Sequence, residues 1–253
     1  MRPASAAGTP AAGTTAEAAG GPPGVTFSDP IADRHRRLDA DSFADIYVVG
    51  DVHGCIQELE TLLDRLDPGA EDLVLFVGDL VRKGPDGRAV LDRVASSSTM
   101  LSVRGNNEQK FLDGDARPDR LGDTAEYIPA MPAAISFADA LVVHGGVDPR
   151  RPLADHTLEN LLETRAIPPE NGYDGPFWFD FHEGPPRVFF GHTVLAEPYE
   201  SEWAVGLDTG CVHGRQLTAY DYRAEEFIGV PAQETYRQRD PATVVDPATD
   251  VGG

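Results

Sequence analysis

An α/β fold is predicted by a pattern that occurs three times in the first half of the chain. Each time, a short apolar run leads into a glycine-containing turn, and an amphipathic stretch follows. The runs cover residues 46–49, 73–77 and 101–103, and the stretches after them cover 56–66, 86–94 and 109–112. β-Branched and aromatic residues in the runs favour strands, whereas leucines three and four residues apart favour helices. This alternation predicts a largely parallel sheet with helical cover.

The second half of the chain is predicted to add further strands and one helix. Two extended pieces are expected within 135–143, a helix over 158–165, and strands over 188–192, 205–208 and 217–222. The loop at 167–186 contains an aromatic cluster: Phe177, Trp178, Phe179 and Phe181. Aromatic side chains of this size bury much apolar surface, so we expect the cluster to fill the core beneath the loop.

We expect one globular domain over residues 29–235, because 253 residues are enough for a single large hydrophobic core. Residues 1–28 are rich in Ala, Gly, Thr and Pro, which predicts a disordered leader. Residues 236–253 are predicted to form a loose polar tail. The charged stretch at 31–44 is predicted to be a short lead-in helix, with His35 exposed to solvent.

The overall charge excludes some classes of partner. The chain carries 42 acidic residues against 21 basic ones, a formal net charge of -21. Such a surface repels a polyphosphate backbone at long range, so stable nucleic-acid binding is not expected. No apolar run approaches the roughly 18 residues that a membrane span needs, and no signal-peptide core precedes the domain. No membrane association is therefore expected, and cytoplasmic location is predicted.

The two cysteines, Cys55 and Cys211, each follow a glycine turn. Two thiols are too few for a disulfide scaffold or for a zinc site built from thiolates alone. This count agrees with a cytoplasmic location. We expect both to be small buried hydrophobic residues, with His213 near Cys211 at the rim of a cleft.

Potential metal ligands follow five of the apolar runs. Because ligands bind at the carboxyl ends of strands in open α/β sheets, we expect these side chains to converge on one cleft. They are Asp51, His53, Asp79, Asn106, His144 and His192. Carboxylate, imidazole and amide oxygen without thiolate suit Mn²⁺, Fe or Zn²⁺.

The spacing of these residues predicts how they would be divided between two metal ions. Asp51 and His53 lie on one turn and can bind one ion, whereas Asp79 has two oxygens and can bridge. Asn106, His144 and His192 would complete a second site. Two ions about 3.5–4 Å apart activate water for in-line displacement at phosphorus. The predicted chemistry is therefore metal-assisted phosphoester hydrolysis.

Five motifs occur in a recognisable order: GDVHG, GDLVRKGP, RGNNE, VVHGG and FGHTV. Together with LDTGCVHGRQLTAY at 207–220, they resemble the motif series of the calcineurin-like metallophosphoesterases. The series is most similar to the branch of phosphoprotein phosphatases and symmetrical diadenosine tetraphosphatases. The resemblance implies a layered β-sandwich with flanking helices. It also implies one metal held by Asp51, His53 and Asp79, and another held by Asp79, Asn106, His144 and His192.

The sequence departs from the family pattern at two places. Arg82 and Lys83 stand where the family has aspartate and arginine, and Asn107 replaces the histidine of GNHE. The resemblance assigns that histidine to protonating the leaving oxygen and the aspartate to orienting it. The two cations present here, Arg82 and Lys83, instead favour a substrate with several phosphates, or a leaving group that needs little protonation. Arg104 and Arg165 are further candidates for binding phosphate oxygens.

Three functions follow from this interpretation. The substrate is expected to be a phosphorylated protein or a nucleotide polyphosphate, and the missing acid favours the phosphoanhydride. The alternative is a pseudophosphatase that binds phosphate with little turnover. Retention of the bridging carboxylate Asp79 argues against that alternative, because an anion site needs no such group.

Overall fold

The computed structural model describes residues 25–114 and 121–247. Within these ranges, eleven β-strands form two sheets, and four α-helices accompany them. Predictions for residues 1–24 and 248–253 lie outside the described residues.

The first sheet has five strands and contains the three predicted strand–helix units. Its central strands β2, β3 and β4 run parallel, and β10 and β11 extend it in antiparallel fashion. In the order β11-β10-β2-β3-β4, the strands are Glu226–Pro231, Gln216–Asp221, Ile46–Val49, Leu73–Phe76 and Met100–Ser102. Helices α1 (Ile56–Leu66), α2 (Gly87–Ala95) and α3 (Asn106–Leu112) follow β2, β3 and β4. The sequence-based expectation for this half of the fold is confirmed.

The second sheet has six strands in the order β1-β5-β6-β7-β9-β8. They are His35–Leu38, Ala134–Phe137, Ala140–Val142, Arg187–Phe190, Ala204–Gly206 and Tyr199–Glu200. Within it, β6, β7 and β9 are parallel neighbours, and α4 (Leu158–Glu163) lies between β6 and β7 in sequence. The ligand-bearing strands are therefore divided between the two sheets, because β6 and β7 pair with each other rather than with β4.

The two sheets pack face to face around a shared core. Val48 and Leu75 of the first sheet cluster with Val142 and Phe189 of the second, and all four are fully buried. On the outer face of the first sheet, α1 and α2 bury their leucine and valine stripes. This arrangement is a layered β-sandwich with flanking helices, as the family resemblance implied.

The aromatic loop covers the outer face of the second sheet. Phe177, Trp178 and Phe179 are buried there with Phe190, which confirms their predicted role in the core. Phe181 is 53% exposed, so its assignment to the cluster was wrong.

Two predictions at the start of the domain require correction. Residues 35–38 form strand β1, parallel to β5, where a helix was expected. His35 is buried rather than solvated, and its Nε2 lies 2.8 Å from Ser136 Oγ. Strand pairing overrides the polar composition here because the two end residues of the strand are covered: Phe27 packs on His35, and Leu38 belongs to the core between the sheets.

The predicted domain boundaries also shift outward. Val25 and Phe27, assigned to the leader, are buried in the core of the second sheet. In the region assigned to the tail, Val245 is buried and forms a bridge with Leu195. Among the described residues, no helix is long and apolar enough to cross a membrane.

The burial of His35 predicts a pH-dependent contribution to stability. Burial, reinforced by Arg37, lowers the pKa of His35 to about 4 from 6.5. The unfolded chain therefore takes up a proton first as pH falls through 6.5, and stability is lost progressively towards the folded pKa. When the pH falls from about 7.5 to about 5, proton uptake by His35 in the unfolded chain should lower the free energy of unfolding by about 1–2 kcal/mol.

Urea unfolding of wild type and His35→Gln in the presence of chelator tests this, since glutamine keeps a polar partner for Ser136 but does not titrate. Wild type should lose more stability than the variant on acidification. Equal losses in the two proteins would contradict the assignment of this proton uptake to His35.

Candidate metal centre

Residues from both sheets converge at one edge of the sandwich. Asp51 and His53 follow β2, Asp79 follows β3, and Asn106 begins α3 after β4. From the second sheet, His144 follows β6 and His192 follows β7. The six residues predicted as metal ligands therefore meet where the carboxyl ends of parallel strands in the two sheets face each other.

Asp79 lies at the middle of this group. Its Oδ2 is 3.5 Å from His53 Nε2, and its Oδ1 is 3.5 Å from His144 Nε2. His53 Nε2 also lies 3.7 Å from Asp51 Oδ2. Ligand atoms of Asp51, Asp79 and His144 all lie within 4.8 Å of one another, and all three residues are buried. Asp79 can thus contact cations on both sides.

Asn106 and His192 complete the group on the side of the second sheet. Asn106 Nδ2 lies 3.4 Å from His192 Nδ1, and the rings of His144 and His192 are 5.1 Å apart. The backbone N–H of His192 donates to Asp51 Oδ1 at 3.2 Å, which ties the loop after β7 to the turn after β2.

Three of these residues have an uncommon backbone conformation. His53, Asp79 and His192 have φ values of 51°, 52° and 62°, in the left-handed region that non-glycine residues rarely adopt. Such strain is concentrated at functional sites, where the surrounding structure must enforce it. At Gly191, a Cβ atom would lie 2.0 Å from Asp51 Oδ1, so only glycine permits this close approach.

Burial and mutual charge shift the acid–base properties of the group. Burial raises the pKa of Asp51 well above its usual value, and Asp208 and Asp79 add to the effect. Burial also acts to raise the pKa of Asp79, but His144, His53 and Lys83 outweigh it and hold that pKa below its usual value. Burial, with Lys83, lowers the pKa of His53 to about 3. The imidazole is therefore neutral at pH 7, the form that binds metals.

This donor set fits a divalent cation. His144 Nδ1 lies 2.9 Å from the carbonyl oxygen of Val77, which favours a proton on Nδ1 and leaves Nε2 as an acceptor. Nε2 is buried, and among the described residues it has no hydrogen-bond donor. It faces Asp79, itself an acceptor, so a cation between them would satisfy both groups.

Glu108 holds the turns that present these ligands. Its carboxylate accepts hydrogen bonds from the backbone N–H groups of Asp79 at 2.8 Å, Val81 at 3.1 Å and Gly105 at 2.9 Å. No role is predicted for Glu108 from the RGNNE motif that contains it. Burial, followed by the nearby Asp79, raises its pKa to about 7. The position of Glu108 at the end of the RGNNE motif, two residues after Asn106, was the available signal.

Two of the predicted phosphate-binding residues contact the histidines directly. Lys83 Nζ donates to His53 Nε2 at 2.7 Å, and Arg165 Nη2 donates to His192 Nε2 at 2.6 Å. Arg165 also lies over the ring of Tyr173, 4.2 Å from its centroid. Arg82 has a left-handed backbone and lines the adjoining cleft. These three cations lie beside the centre: Arg82 and Lys83 come from the turn after β3, and Arg165 comes from the segment after α4.

Arg104 has a different position. Its Nη1 donates to Gln109, and its Nη2 donates to the carbonyl oxygens of Pro129 and Met131. The residue is only 3% exposed. The proposed phosphate contact is therefore corrected: Nη1 is bonded to α3, and Nη2 holds the 3-10 helix Gly122–Ala130 and the chain after it.

Asn107 turns towards the centre. Its backbone N–H donates to Asp79 Oδ1 at 2.8 Å, and its Nδ2 donates to Asp79 Oδ2 and to Asn106 Oδ1. The side-chain amide thus orients two of the candidate ligands. An amide cannot donate a proton to a leaving group as an imidazolium does.

A cleft of about 1080 Å³ opens beside the centre. Arg82, Lys83 and Asn107 line it and connect it with the candidate ligands, and His213 lines it as predicted. Four further cations in its lining were not singled out from the sequence: Arg88, Lys110, Arg237 and Arg239. Their separation along the chain left no local pattern to detect.

Replacement of Glu108 by glutamine should weaken metal binding, since the new amide N–H would oppose backbone donors. Loss of such an orienting contact costs roughly 10–100-fold in metal affinity. Calorimetric titration with Mn²⁺ measures the effect, with circular dichroism to verify folding. The matched control is Glu226→Gln, at an exposed position on β11. Affinity equal to that of wild type would show that Glu108 does not position the ligands.

Comparison with known proteins agrees with this geometry. The profile of the calcineurin-like phosphoesterase family matches residues 44–209. The chain is 30% identical to serine/threonine-protein phosphatase 1 of Salmonella typhimurium, over 73% of this chain and 94% of that protein. It is 26% identical to the asymmetrical bis(5'-nucleosyl)-tetraphosphatase PrpE of Oceanobacillus iheyensis, over 76% of this chain and 94% of that protein.

A solved structure described as a candidate diadenosine tetraphosphatase superposes with a TM-score of 0.70 at 28% identity, over 79% of this chain and 99% of that one. The fold, the cluster of carboxylates and histidines and these relatives support an enzyme, and nothing among them supports the pseudophosphatase alternative. The chain belongs to the calcineurin-like phosphoesterases and is a metal-dependent phosphoester or phosphoanhydride hydrolase.

Proposed function

We propose that this enzyme hydrolyses phosphoanhydride bonds in nucleotide polyphosphates, with a dinucleoside tetraphosphate as the representative substrate. The observation that supports this most strongly is the accumulation of cationic side chains in the cleft beside the Asp79 centre. The proposal concerns substrate and metal, since the hydrolase family is established.

The charge balance of the cleft is opposite to that of the chain. Six lining residues are cationic and two are carboxylates, whereas the whole chain has 21 basic and 42 acidic residues. Both lysines of the chain, Lys83 and Lys110, belong to the lining. The two carboxylates cap local helices: Asp86 accepts from Ala89 N, and Asp240 accepts from Ala242 N. The arrangement favours a ligand with several negative charges.

The cleft is also large enough for an extended ligand. Small-molecule sites commonly occupy about 300–1000 Å³, and this cleft has about 1080 Å³. A single phosphoserine would contact only the part nearest the centre. A chain of phosphates could contact the more distant cations as well.

The side-chain amide of Asn107 also favours hydrolysis of a phosphoanhydride bond. Asn107 Nδ2 is directed at Asp79 and Asn106, and its amide cannot protonate a departing oxygen. A serine alkoxide is strongly basic and gains much from protonation as it leaves, whereas a phosphate leaves readily without it. The bond best suited to this site is therefore the phosphoanhydride.

We infer that two divalent ions, most suitably Mn²⁺, are held by the six converging residues. Asp51, His53 and Asp79 would hold one ion, and Asp79, Asn106, His144 and His192 the other. Oxygen and imidazole donors without thiolate suit Mn²⁺, and Fe or Zn²⁺ also fit. When bound, such a pair lowers the pKa of water and balances charge on a phosphoryl group.

Side chains of this protein would then orient the substrate. Lys83 and Arg165 lie at His53 and His192 and can turn to oxygens of the phosphate under attack. Arg82, Lys110 and Arg237 line the cleft beyond them and can bind the phosphates that follow. Water would add to one phosphorus and release a proton to solvent, and the P–O bond to the bridging oxygen would break with both its electrons leaving on the departing phosphate.

Phosphoprotein hydrolysis is the second candidate, supported by the 30% identity with the Salmonella phosphatase over most of both chains. We further infer that the enzyme acts in the cytoplasm, where its two cysteines, both free in this structure, would stay reduced. No membrane or nucleic-acid partner is proposed.

Steady-state kinetics of the Mn²⁺-loaded enzyme on diadenosine tetraphosphate, a phosphopeptide and an aryl phosphate test the substrate class. We expect kcat/KM to be highest for the dinucleotide. Chromatography of its products also determines the bond cleaved: AMP and ATP indicate asymmetrical hydrolysis, whereas ADP alone indicates the symmetrical reaction expected from the motif resemblance. The anhydride assignment is wrong if the phosphopeptide is hydrolysed at least as efficiently.

The role of the distant cations is tested by Lys110→Gln. Loss of one charge-assisted contact to a phosphate should raise KM for diadenosine tetraphosphate by roughly tenfold, while kcat/KM for the aryl phosphate stays unchanged. The matched control is Arg151→Gln, which removes a surface cation paired with Asp148. Equal effects of Lys110→Gln on both substrates would contradict a contact with distant phosphates.

A further inference from the structure

A second group of potential ligands lies beneath the cleft, outside the Asp79 centre. Cys55 precedes α1, Glu58 lies in the first turn of α1, and Cys211 begins the 3-10 helix Cys211–His213. Ligand atoms of these three residues lie within 4.8 Å of one another. Their exposed fractions are 0%, 0% and 1%. The hydrolytic reaction described above uses none of them.

The carboxylate of Glu58 is only partly satisfied. Oε1 accepts hydrogen bonds from the backbone N–H of Gln233 at 2.9 Å and from the hydroxyl of Tyr236 at 3.0 Å. Oε2 is buried and, within 25–114 and 121–247, has no hydrogen-bond partner. Leaving a buried carboxylate oxygen without a donor or cation is costly. This oxygen therefore requires a positively charged or protonated partner that the neighbouring side chains do not supply.

The two sulfurs are already close. The sulfurs of Cys55 and Cys211 lie within 4.8 Å of each other, although 156 positions separate the two residues in the chain and they belong to different elements. Two sulfur ligands and one carboxylate oxygen, all buried, form a donor set different from that of Asp51, Asp79 and His144. Sulfur selects soft or borderline cations, which the Asp79 centre does not require.

We propose that Cys55, Glu58 and Cys211 form a separate binding site for one thiophilic divalent cation of the zinc and cadmium class. On binding, each thiol releases its proton and the sulfur becomes a thiolate ligand. Glu58 contributes Oε2 while Oε1 keeps its bonds to Gln233 and Tyr236. This site could not be anticipated from the sequence, because two cysteines alone are too few and Glu58 lies in an ordinary helical stretch.

The position of the site indicates its role. It connects the turn after His53 with the Cys211–His213 helix, and through Glu58 it connects both with the segment that contains Gln233 and Tyr236. That segment continues to Arg237 and Arg239, which line the cleft. A bound cation would therefore stabilise the rim of the cleft without entering it.

The test uses the reduced full-length enzyme, first loaded with Mn²⁺ and then titrated with Cd²⁺. Thiolate-to-cadmium charge transfer gives an absorption in the near ultraviolet that oxygen and imidazole ligands do not produce. We expect this absorption to saturate at one Cd²⁺ per chain, with release of protons and a higher melting temperature. Asp79→Asn should retain the absorption, because its altered carboxylate belongs to the other centre.

Two variants examine the ligands separately. Cys211→Ser should abolish most of the absorption, and Glu58→Gln should weaken Cd²⁺ affinity by roughly tenfold or more. Near-ultraviolet circular dichroism of Glu58→Gln verifies that the fold is retained. Absence of the absorption in wild type would overturn the proposal, and so would an affinity unchanged by Glu58→Gln. Either result would leave the hydrolytic function untouched, since that rests on Asp79.

Discussion

The structure depends on negative charge that is buried where two sheets meet. Asp51 and Asp79 are 3% and 1% exposed, and the charge of Asp79 adds to burial in raising the pKa values of Asp51 and Glu108. Buried carboxylates are costly unless cations or several hydrogen bonds compensate them. The surrounding groups supply that compensation from many segments: histidines on both sheets, backbone donors from the turns, and the ammonium of Lys83. A fold that brings these segments together is suited to holding divalent cations.

The need to hold compensating groups around these buried carboxylates also explains local features that would otherwise destabilise the chain. Three ligand residues adopt left-handed backbone, Gly191 leaves no space for a side chain against Asp51, and Glu108 is buried to hold three N–H groups. Each feature fixes the direction of a ligand. Beyond the centre, an acidic protein places both its lysines in one cleft, which concentrates positive potential there and agrees with the proposed polyphosphate substrate.

Part of the metal centre was predictable from sequence because its ligands belong to short local motifs. A strand, a glycine turn and a ligand lie within ten residues of one another, so Asp51, His53 and Asp79 could be placed at a sheet edge without knowledge of the tertiary fold. The burial of His35 was not predictable, since it depends on the pairing of β1 with β5 about a hundred residues later. Arg104 was misassigned because its partners, Pro129 and Met131, lie in a segment without a regular pattern.

The remaining differences between the predicted and the observed structure also arise from contacts between distant segments. Val245 lies in a polar stretch, and its burial arises from a bridge to Leu195 that composition does not encode. Arg237 and Arg239 reach the cleft from a segment that is held by contacts with Glu58, His213 and Tyr173. Residues whose role depends on contacts between distant segments require coordinates, whereas residues in a strand-end motif do not.

The most direct test of the central claim is the number of Mn²⁺ ions bound per chain, measured by equilibrium dialysis of wild type and Asp79→Asn. Mn²⁺ is suitable because it prefers oxygen and imidazole donors to thiolates. If Asp79 is shared by two ions, wild type should bind two and the variant should lose both or retain one weakly, while the exposed control Asp64→Asn behaves as wild type. A single ion in wild type, or two in Asp79→Asn with unchanged affinity, would contradict the account.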